Sequence, residues 1–146
     1  MFRRLMSTTD DFAVTILRLL LGVVFFAHGA QKLLGWFGGY GFSATMSFFH
    51  GLNIPAPLAA LAIAAEFFGG LGLLVGLLSR IAAFGIACNM VVAVATIHRH
   101  YGFFANWYGQ QKGEGFEYHI LAVAIALAII IKGSGALSLD RALSKS

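Results

Sequence analysis

Three polar side chains share one face of an otherwise apolar segment near the start of the chain. His28, Gln31 and Lys32 are spaced three and four residues apart, which places them together on a helix. A second apolar segment carries Glu66 about ten residues from its start, or roughly 15 Å along a helix axis. Imidazole, ammonium and carboxylate groups can transfer protons. We therefore predict that Glu66, His28 and Lys32 form a catalytic set.

Further polar residues approach the same end of these segments. Asn89 and His98 lie toward the end of a third apolar segment, whereas Tyr118 and His119 open a fourth. Because neighbouring segments must run in opposite directions, we expect these groups to meet around one opening, at one end of a bundle of helices. The predicted ligand-binding residues are Gln31, Trp36, Asn89, His98, Tyr118 and His119.

Most of these residues also have a purely structural interpretation. Each histidine can cap a helix or contact lipid headgroups, and Lys32 can extend along its own helix to the interface. Asn89 can form a hydrogen bond between helices. Glu66 is harder to explain in this way, because a carboxylate at mid-membrane depth needs a partner or a proton.

The composition indicates a membrane protein. Of 146 residues, 59% are hydrophobic and only 11% are charged, too few charges to cover a soluble domain. Spans of roughly 20 apolar residues cross a bilayer, and four stretches approach or exceed that length. We predict an all-α integral membrane protein, a four-transmembrane-helix bundle forming a single domain (1–146), with spans at about 12–34, 57–78, 81–97 and 116–132.

The segment between the first two spans predicts a further short helix. Phe42, Met46 and Phe49 recur at helical spacing against serines on the opposite face. This pattern is typical of an amphipathic helix lying flat at the membrane interface.

Three residues are assigned structural roles. Gly72 and Gly76 form a GxxxG pair, which predicts a tight helix contact. Arg18 can extend to the headgroups or pair with Glu66. His28 and Arg18 lie about 6 Å from the level of Glu66, but Lys32 lies about 12 Å away, so we expect Lys32 to be the least favourable partner. The polar tail, 133–146, is expected to be solvated.

The basic residues predict the orientation, because cytoplasmic loops are enriched in Lys and Arg. With both termini in the cytoplasm, the outer side holds Lys32, Arg99 and Lys112. The inner side then holds Arg3, Arg4, Arg18, Arg80, Lys132, Arg141 and Lys145. These residues form no basic stripe, so nucleic acid is not an expected partner.

Either Asp10 or Asp11 should cap the first helix.

Cys88 is the only cysteine. An intrachain disulfide, a CxxC redox pair and a thiolate metal site are therefore excluded, and we predict no metal ligands. Any redox chemistry must come from a bound cofactor or partner.

Three segments resemble a known family. They are RLLLGVVFFAHGAQKLLGWFGG at 18–39, AEFFGGLGLLVGLLSR at 65–80 and GFEYHILAVAIALAIIIKGSGALSLDR at 115–141. Together they are similar to the DoxX family of small four-helix bacterial membrane proteins, which resemble the small subunit of thiosulfate:quinone oxidoreductase. The resemblance implies a bacterial inner-membrane protein associated with a redox complex, but it supplies no agreed catalytic set.

Three functions are compatible with these residues. The leading hypothesis is a membrane subunit of a quinone-linked oxidoreductase that binds a quinone-like head group near the outer leaflet. Its expected partners are the lipid bilayer and either a partner redox subunit or a second copy of itself. The alternatives are b-type haem binding, which needs two histidines on different helices, and a non-enzymatic scaffold or lipid carrier.

Overall fold

A computed structural model describes residues 5–145, which contain helices and no strand. Arg3 and Arg4, counted above for the orientation, lie outside the described residues. The helices are α1 (Phe12–Leu34), α2 (Gly41–Gly51), α3 (Ala56–Val75), α4 (Ser79–Thr96), a 3-10 turn (His98–Tyr101), α5 (Glu117–Lys132) and α6 (Leu139–Lys145).

Helix α1 has the predicted bounds. The Asp11 carboxylate accepts hydrogen bonds from the backbone N–H groups of Ala13 (2.9 Å) and Val14 (3.3 Å), so Asp11 is the residue that caps the helix. Gly35, in the left-handed conformation, ends it. Asp10 instead pairs with Arg141, and this hydrogen bond raises the pKa of the Arg141 guanidinium.

Within the described part of the chain, three helices are long and apolar enough to cross a membrane, namely α1, α3 and α4. Helix α5 is also apolar but has only 16 residues. The second span ends earlier than predicted, at Val75, because Gly76 adopts a left-handed conformation with φ of 71° and turns the chain. The turn is so short that α4 begins at Ser79, ahead of its predicted start.

The core is formed by side chains from all four long helices. Its buried members are Leu21, Phe25, Leu73, Ala83, Ile86, Met90, Ala122, Ala126 and Ile129. The opposite faces carry exposed apolar side chains, such as Ile16 on α1, Phe68 on α3 and Leu121 on α5. A surface of this kind is stable when lipid, rather than water, covers it.

The tightest helix contact involves glycines other than the predicted pair. A Cβ atom on Gly70 would lie 2.3 Å from the backbone nitrogen of Phe26, and one on Gly29 would lie 2.3 Å from that of Phe67. Helices α1 and α3 therefore touch backbone to backbone. The prediction for Gly72 and Gly76 was wrong, because Gly76 is the residue that ends α3 and its nearest neighbour is Ser138 of the tail.

The tail is not solvated as predicted. Residues 139–145 form α6, and the Asp140 side chain is buried, accepting hydrogen bonds from the backbone N–H groups of Leu78 (2.7 Å) and Ser79 (3.1 Å). Asp140 therefore caps the N-terminus of α4. The polar composition of the tail could not reveal this, because the partner amides belong to a distant turn.

Arg18 lies at this same end of the bundle and is 1% exposed. Its guanidinium donates hydrogen bonds to backbone carbonyl oxygens of α3 and of the tail, those of Leu73, Leu74, Ser134 and Leu137. Arg18 consequently neither extends to the headgroups nor pairs with Glu66. It joins α1, α3 and the tail, a structural role.

Helix α2 has no buried residue and packs against α1 and α3. Its existence confirms the helix predicted from Phe42, Met46 and Phe49, while its position at a membrane interface stays a prediction.

Candidate ligand-binding cavity

A cavity of about 870 Å³ lies at the end of the bundle opposite Arg18. Its walls come from the last turns of α1 and α4, the first half of α3, the start of α5 and one side of α2. Most of its lining is apolar. Leu58, Leu61 and Val92 line it while being about half exposed or more, so its rim opens onto the apolar outer surface of the bundle.

An ion pair between α1 and α3 forms the most polar part of the wall. The Lys32 ammonium contacts the Glu66 carboxylate, and their side chains are 32% and 6% exposed. The ranking of partners was therefore wrong: Lys32, and neither His28 nor Arg18, pairs with Glu66. Distances along the membrane normal neglect the length of a lysine side chain, which reaches several ångströms back along its own helix.

Two further predicted residues lie beside this pair. His28 and Tyr118 both line the cavity and both interact electrostatically with Glu66. They belong to α1 and α5, so an imidazole and a phenol share the cavity wall with the carboxylate. Such a group of donors and acceptors can bind a carbonyl or hydroxyl group and can exchange a proton with it.

His119 and His98 form a second polar part of the wall. Their ring centroids are 4.0 Å apart. The His98 Nδ1 atom lies 2.8 Å from the Glu114 carbonyl oxygen, so this nitrogen carries the proton and donates it. His119 is 6% exposed, and its Nδ1 atom has no hydrogen-bond partner within the described chain. A buried polar atom of this kind is normally satisfied, by protein, water or ligand.

The remaining predicted ligand-binding residues, Asn89, Gln31 and Trp36, make contacts that stabilise the fold. Asn89 lines the cavity, but its amide donates a hydrogen bond to the Ala62 carbonyl oxygen (2.8 Å) and so joins α4 to α3. Gln31 and Trp36 do not line the cavity. The Gln31 amide donates to the Phe37 carbonyl oxygen (3.2 Å), and the Trp36 ring packs edge-on against Phe37.

Sequence reasoning missed several lining residues. Thr45, Phe48 and Phe49 of α2 form part of the wall, as do Cys88 and Glu114. The apolar face of α2 was the available signal for the aromatic residues, but it was interpreted as a lipid-facing surface. Within residues 5–145, no three His, Cys, Asp or Glu side chains are grouped closely enough to hold a metal ion.

Comparison with known proteins identifies the family. The DoxX family profile matches residues 13–99, more than half of the chain. This chain belongs to the DoxX family. The DoxX protein is 30% identical to Putative oxidoreductase CatD of Bacillus subtilis (strain 168), a match that covers 92% of this chain and 90% of the relative. It is 28% identical to Inner membrane protein YqjF of Escherichia coli (strain K12), over 96% and 98% of the two chains. No solved structure is significantly similar.

The matched region divides the cavity of this DoxX protein. Lys32, Glu66 and Asn89 lie inside residues 13–99, together with α2. Tyr118 and His119 lie beyond it and supply the α5 wall. The ion pair therefore lies in the portion of the chain that matches the family profile.

Proposed function

We propose that this DoxX protein is the membrane subunit of an inner-membrane redox system, and that its cavity binds the head group of a quinone-like molecule. The relatives named as an oxidoreductase and as an inner membrane protein support this placement. The observation that carries the proposal is the Lys32–Glu66 ion pair on the wall of a largely apolar cavity. Ionisable groups held inside a membrane protein are expensive and usually functional.

The cavity suits a ligand of this class in size and polarity. Small-molecule sites occupy about 300–1,000 Å³ and combine an apolar lining with a few placed polar groups, and this cavity falls in that range. A rim next to Leu61 and Val92 lets an apolar tail reach the lipid phase without crossing water. A bound quinone supplies a carrier for two electrons, taken from a partner redox subunit, and two protons.

The residues divide the remaining work. Lys32 would donate a hydrogen bond to a ring carbonyl oxygen of the bound molecule and would stabilise negative charge there. Glu66 accepts or releases the accompanying proton, and His28 lies beside it as a second acid or base. Tyr118 and His119 would supply the α5 part of the wall, where a phenol and an imidazole can form hydrogen bonds with the ligand.

The proposal includes the membrane topology. We propose four spans, with α5 as a shorter fourth, because its exposed face is as apolar as those of the other spans, as Leu121 and Ile131 illustrate. At 1.5 Å per residue α5 covers roughly 24 Å, so the bilayer thins or adjacent residues complete the span. Both termini face the cytoplasm, and the cavity then opens in the outer half of the membrane.

Of the two alternatives, haem binding and a non-enzymatic carrier, the geometry of the cavity supports only the carrier. Bis-histidine haem ligation places about 4 Å between the two coordinating nitrogens and the rings still farther apart, whereas the His98 and His119 centroids are 4.0 Å apart. These two rings are too close to flank one iron. A non-enzymatic carrier for an apolar molecule is favoured by the same lipid-facing rim and would bind the ligand without reducing it.

Replacement of Glu66 tests the redox proposal. Glu66→Gln keeps the shape of the side chain but cannot carry the proton, so we expect quinone-dependent activity in native membranes to fall by about 10²-fold or more. Glu117→Gln is the matched control, because Glu117 is a carboxylate at the same end that binds the Ala105 amide and the Trp107 indole rather than lining the cavity.

The outcomes separate the three functions. Full activity of Glu66→Gln would contradict the assigned role. Solvent extraction that recovers a quinone from a protein with no redox activity would favour the carrier, and a haem absorption spectrum of the gently purified protein would favour the haem alternative.

A further inference from the structure

The cavity wall offers an incoming ligand no unpaired cation. Among the described residues that line the cavity, Lys32 is the only lysine or arginine, and its ammonium already contacts Glu66. Glu114, in the loop before α5, adds a second carboxylate to the cavity wall. One lysine against two glutamates gives the wall a formal charge of −1 when its histidines are uncharged.

This arrangement penalises an anionic ligand. A carboxylate or phosphate headgroup would have to take Lys32 from Glu66 and leave a carboxylate that is 6% exposed without its cation. Removing one partner from a buried charge pair is strongly unfavourable. A cationic headgroup meets the reverse problem, because it would compete with Lys32 for the same carboxylate.

Uncharged polar groups avoid both penalties. The Tyr118 and His119 side chains both line the cavity, and a phenol or an imidazole can form a hydrogen bond with a neutral carbonyl or hydroxyl oxygen. The His119 side chain is 6% exposed, and its Nδ1 atom has no hydrogen-bond partner within the described chain. The wall therefore provides hydrogen bonds for a neutral head group while the ion pair remains intact.

We infer that Glu66 sets the charge selectivity of the cavity: by neutralising Lys32, it admits uncharged amphiphiles and rejects carboxylate and phosphate amphiphiles, including fatty acids and anionic lipid headgroups. This inference rests on the proposed function in that it takes the cavity to be the ligand site. It does not depend on any redox step.

The selectivity is tested by binding, with three probes that share one ten-carbon tail. Decyl-benzoquinone is uncharged, decanoate is an anion and decylammonium is a cation at neutral pH, so apolar burial is nearly constant and the head group varies. The full chain is reconstituted in phosphatidylcholine nanodiscs, and apparent affinity is obtained from the dependence of Tm on probe concentration. For the wild-type protein, we expect decyl-benzoquinone to bind at least about 10-fold more tightly than either charged probe.

Two substitutions should shift the selectivity in opposite directions. Glu66→Gln frees the Lys32 ammonium, so decanoate should bind about 10-fold or more tightly than it does to the wild type. Lys32→Gln frees the Glu66 carboxylate and should produce the same gain for decylammonium. Glu117→Gln, the carboxylate outside the cavity, should alter neither affinity.

Each outcome has a distinct meaning. Decanoate that binds the wild type as tightly as decyl-benzoquinone would overturn the selectivity and leave the cavity as a ligand site. Unchanged decanoate binding in a folded Glu66→Gln protein would do the same, and if that variant does not fold, the decylammonium result for Lys32→Gln decides. Failure of all three probes to bind would contradict the ligand site itself, whereas the redox step is tested separately by the activity of Glu66→Gln in native membranes.

Discussion

Two adjacent glycines in α3 should respond in opposite ways to the same substitution. Gly69 and Gly70 differ in what an added methyl group would meet. At Gly70 the Cβ atom would lie 2.3 Å from the backbone nitrogen of Phe26, whereas at Gly69 the nearest atom, the Ala82 carbonyl oxygen, is 3.6 Å away. The second distance is an ordinary van der Waals contact. We therefore expect Gly70→Ala to destabilise the protein and Gly69→Ala to stabilise it.

The magnitudes follow from this geometry. To bring 2.3 Å to an ordinary contact of about 3.5 Å, α1 and α3 must separate by roughly 1 Å at the Gly70 position. Backbone atoms cannot rotate away as a side chain can, and overpacking of this kind costs about 1–3 kcal/mol. At Gly69 only the gain in helix propensity remains, about 0.5–1 kcal/mol. Because both variants gain the same helix propensity, they should differ by the overpacking cost, about 1–3 kcal/mol in free energy of unfolding.

The assay is reversible unfolding in mixed micelles, with increasing sodium dodecyl sulfate and helicity as the signal. Both variants carry the same new residue, so effects of composition and detergent binding cancel. Equal stability of Gly69→Ala and Gly70→Ala would refute the backbone contact between α1 and α3. A stability loss in both would indicate that glycine is needed along α3 for some other reason.

Four further substitutions test individual hydrogen bonds and an ion pair of the fold. Asp140→Ala removes the buried cap of α4 and should lower the free energy of unfolding by roughly 3 kcal/mol, whereas Asp10→Ala, at an exposed pair, should leave it nearly unchanged. Asn89→Leu loses the bond to the Ala62 carbonyl and should cost about 0.6–1.7 kcal/mol; an unaltered unfolding curve would mean that this bond contributes nothing. Asp11→Ala should cost about 1 kcal/mol through loss of the N-cap, and amide hydrogen exchange in the first turn of α1 should accelerate, while unaltered exchange there would argue against the cap.

Local patterns in the sequence predicted the helices well. Helix α1 has the predicted bounds because an apolar run is preceded by a side chain that caps helices, Asp11, and is followed by glycine. The meeting of His28, Glu66 and Tyr118 at one cavity follows from antiparallel helices of known length, which bring the end of one span beside the start of the next.

Long-range contacts were predicted less well. The GxxxG motif predicted a helix contact at Gly72 and Gly76, whereas α1 and α3 approach each other closely at Gly70. A sequence motif does not indicate which face of a helix packs against its neighbour. The end of α3 depends on the left-handed conformation of Gly76, which helical periodicity cannot detect. The role of Asp140 depends on amides about sixty residues away in the chain, and no local pattern of the tail indicates them.

Arg18 is synthesised long before all of its acceptors. Ser134, which accepts from the Arg18 Nε atom, lies 116 residues later in the chain, a delay of roughly 6–23 s at about 5–20 residues per second. During that time α1 holds a guanidinium that the finished tail has not yet satisfied, a condition tolerated near a helix end by contact with headgroups. We expect a chain interrupted before Ser134 to keep that exposed charge and to be degraded by membrane proteases.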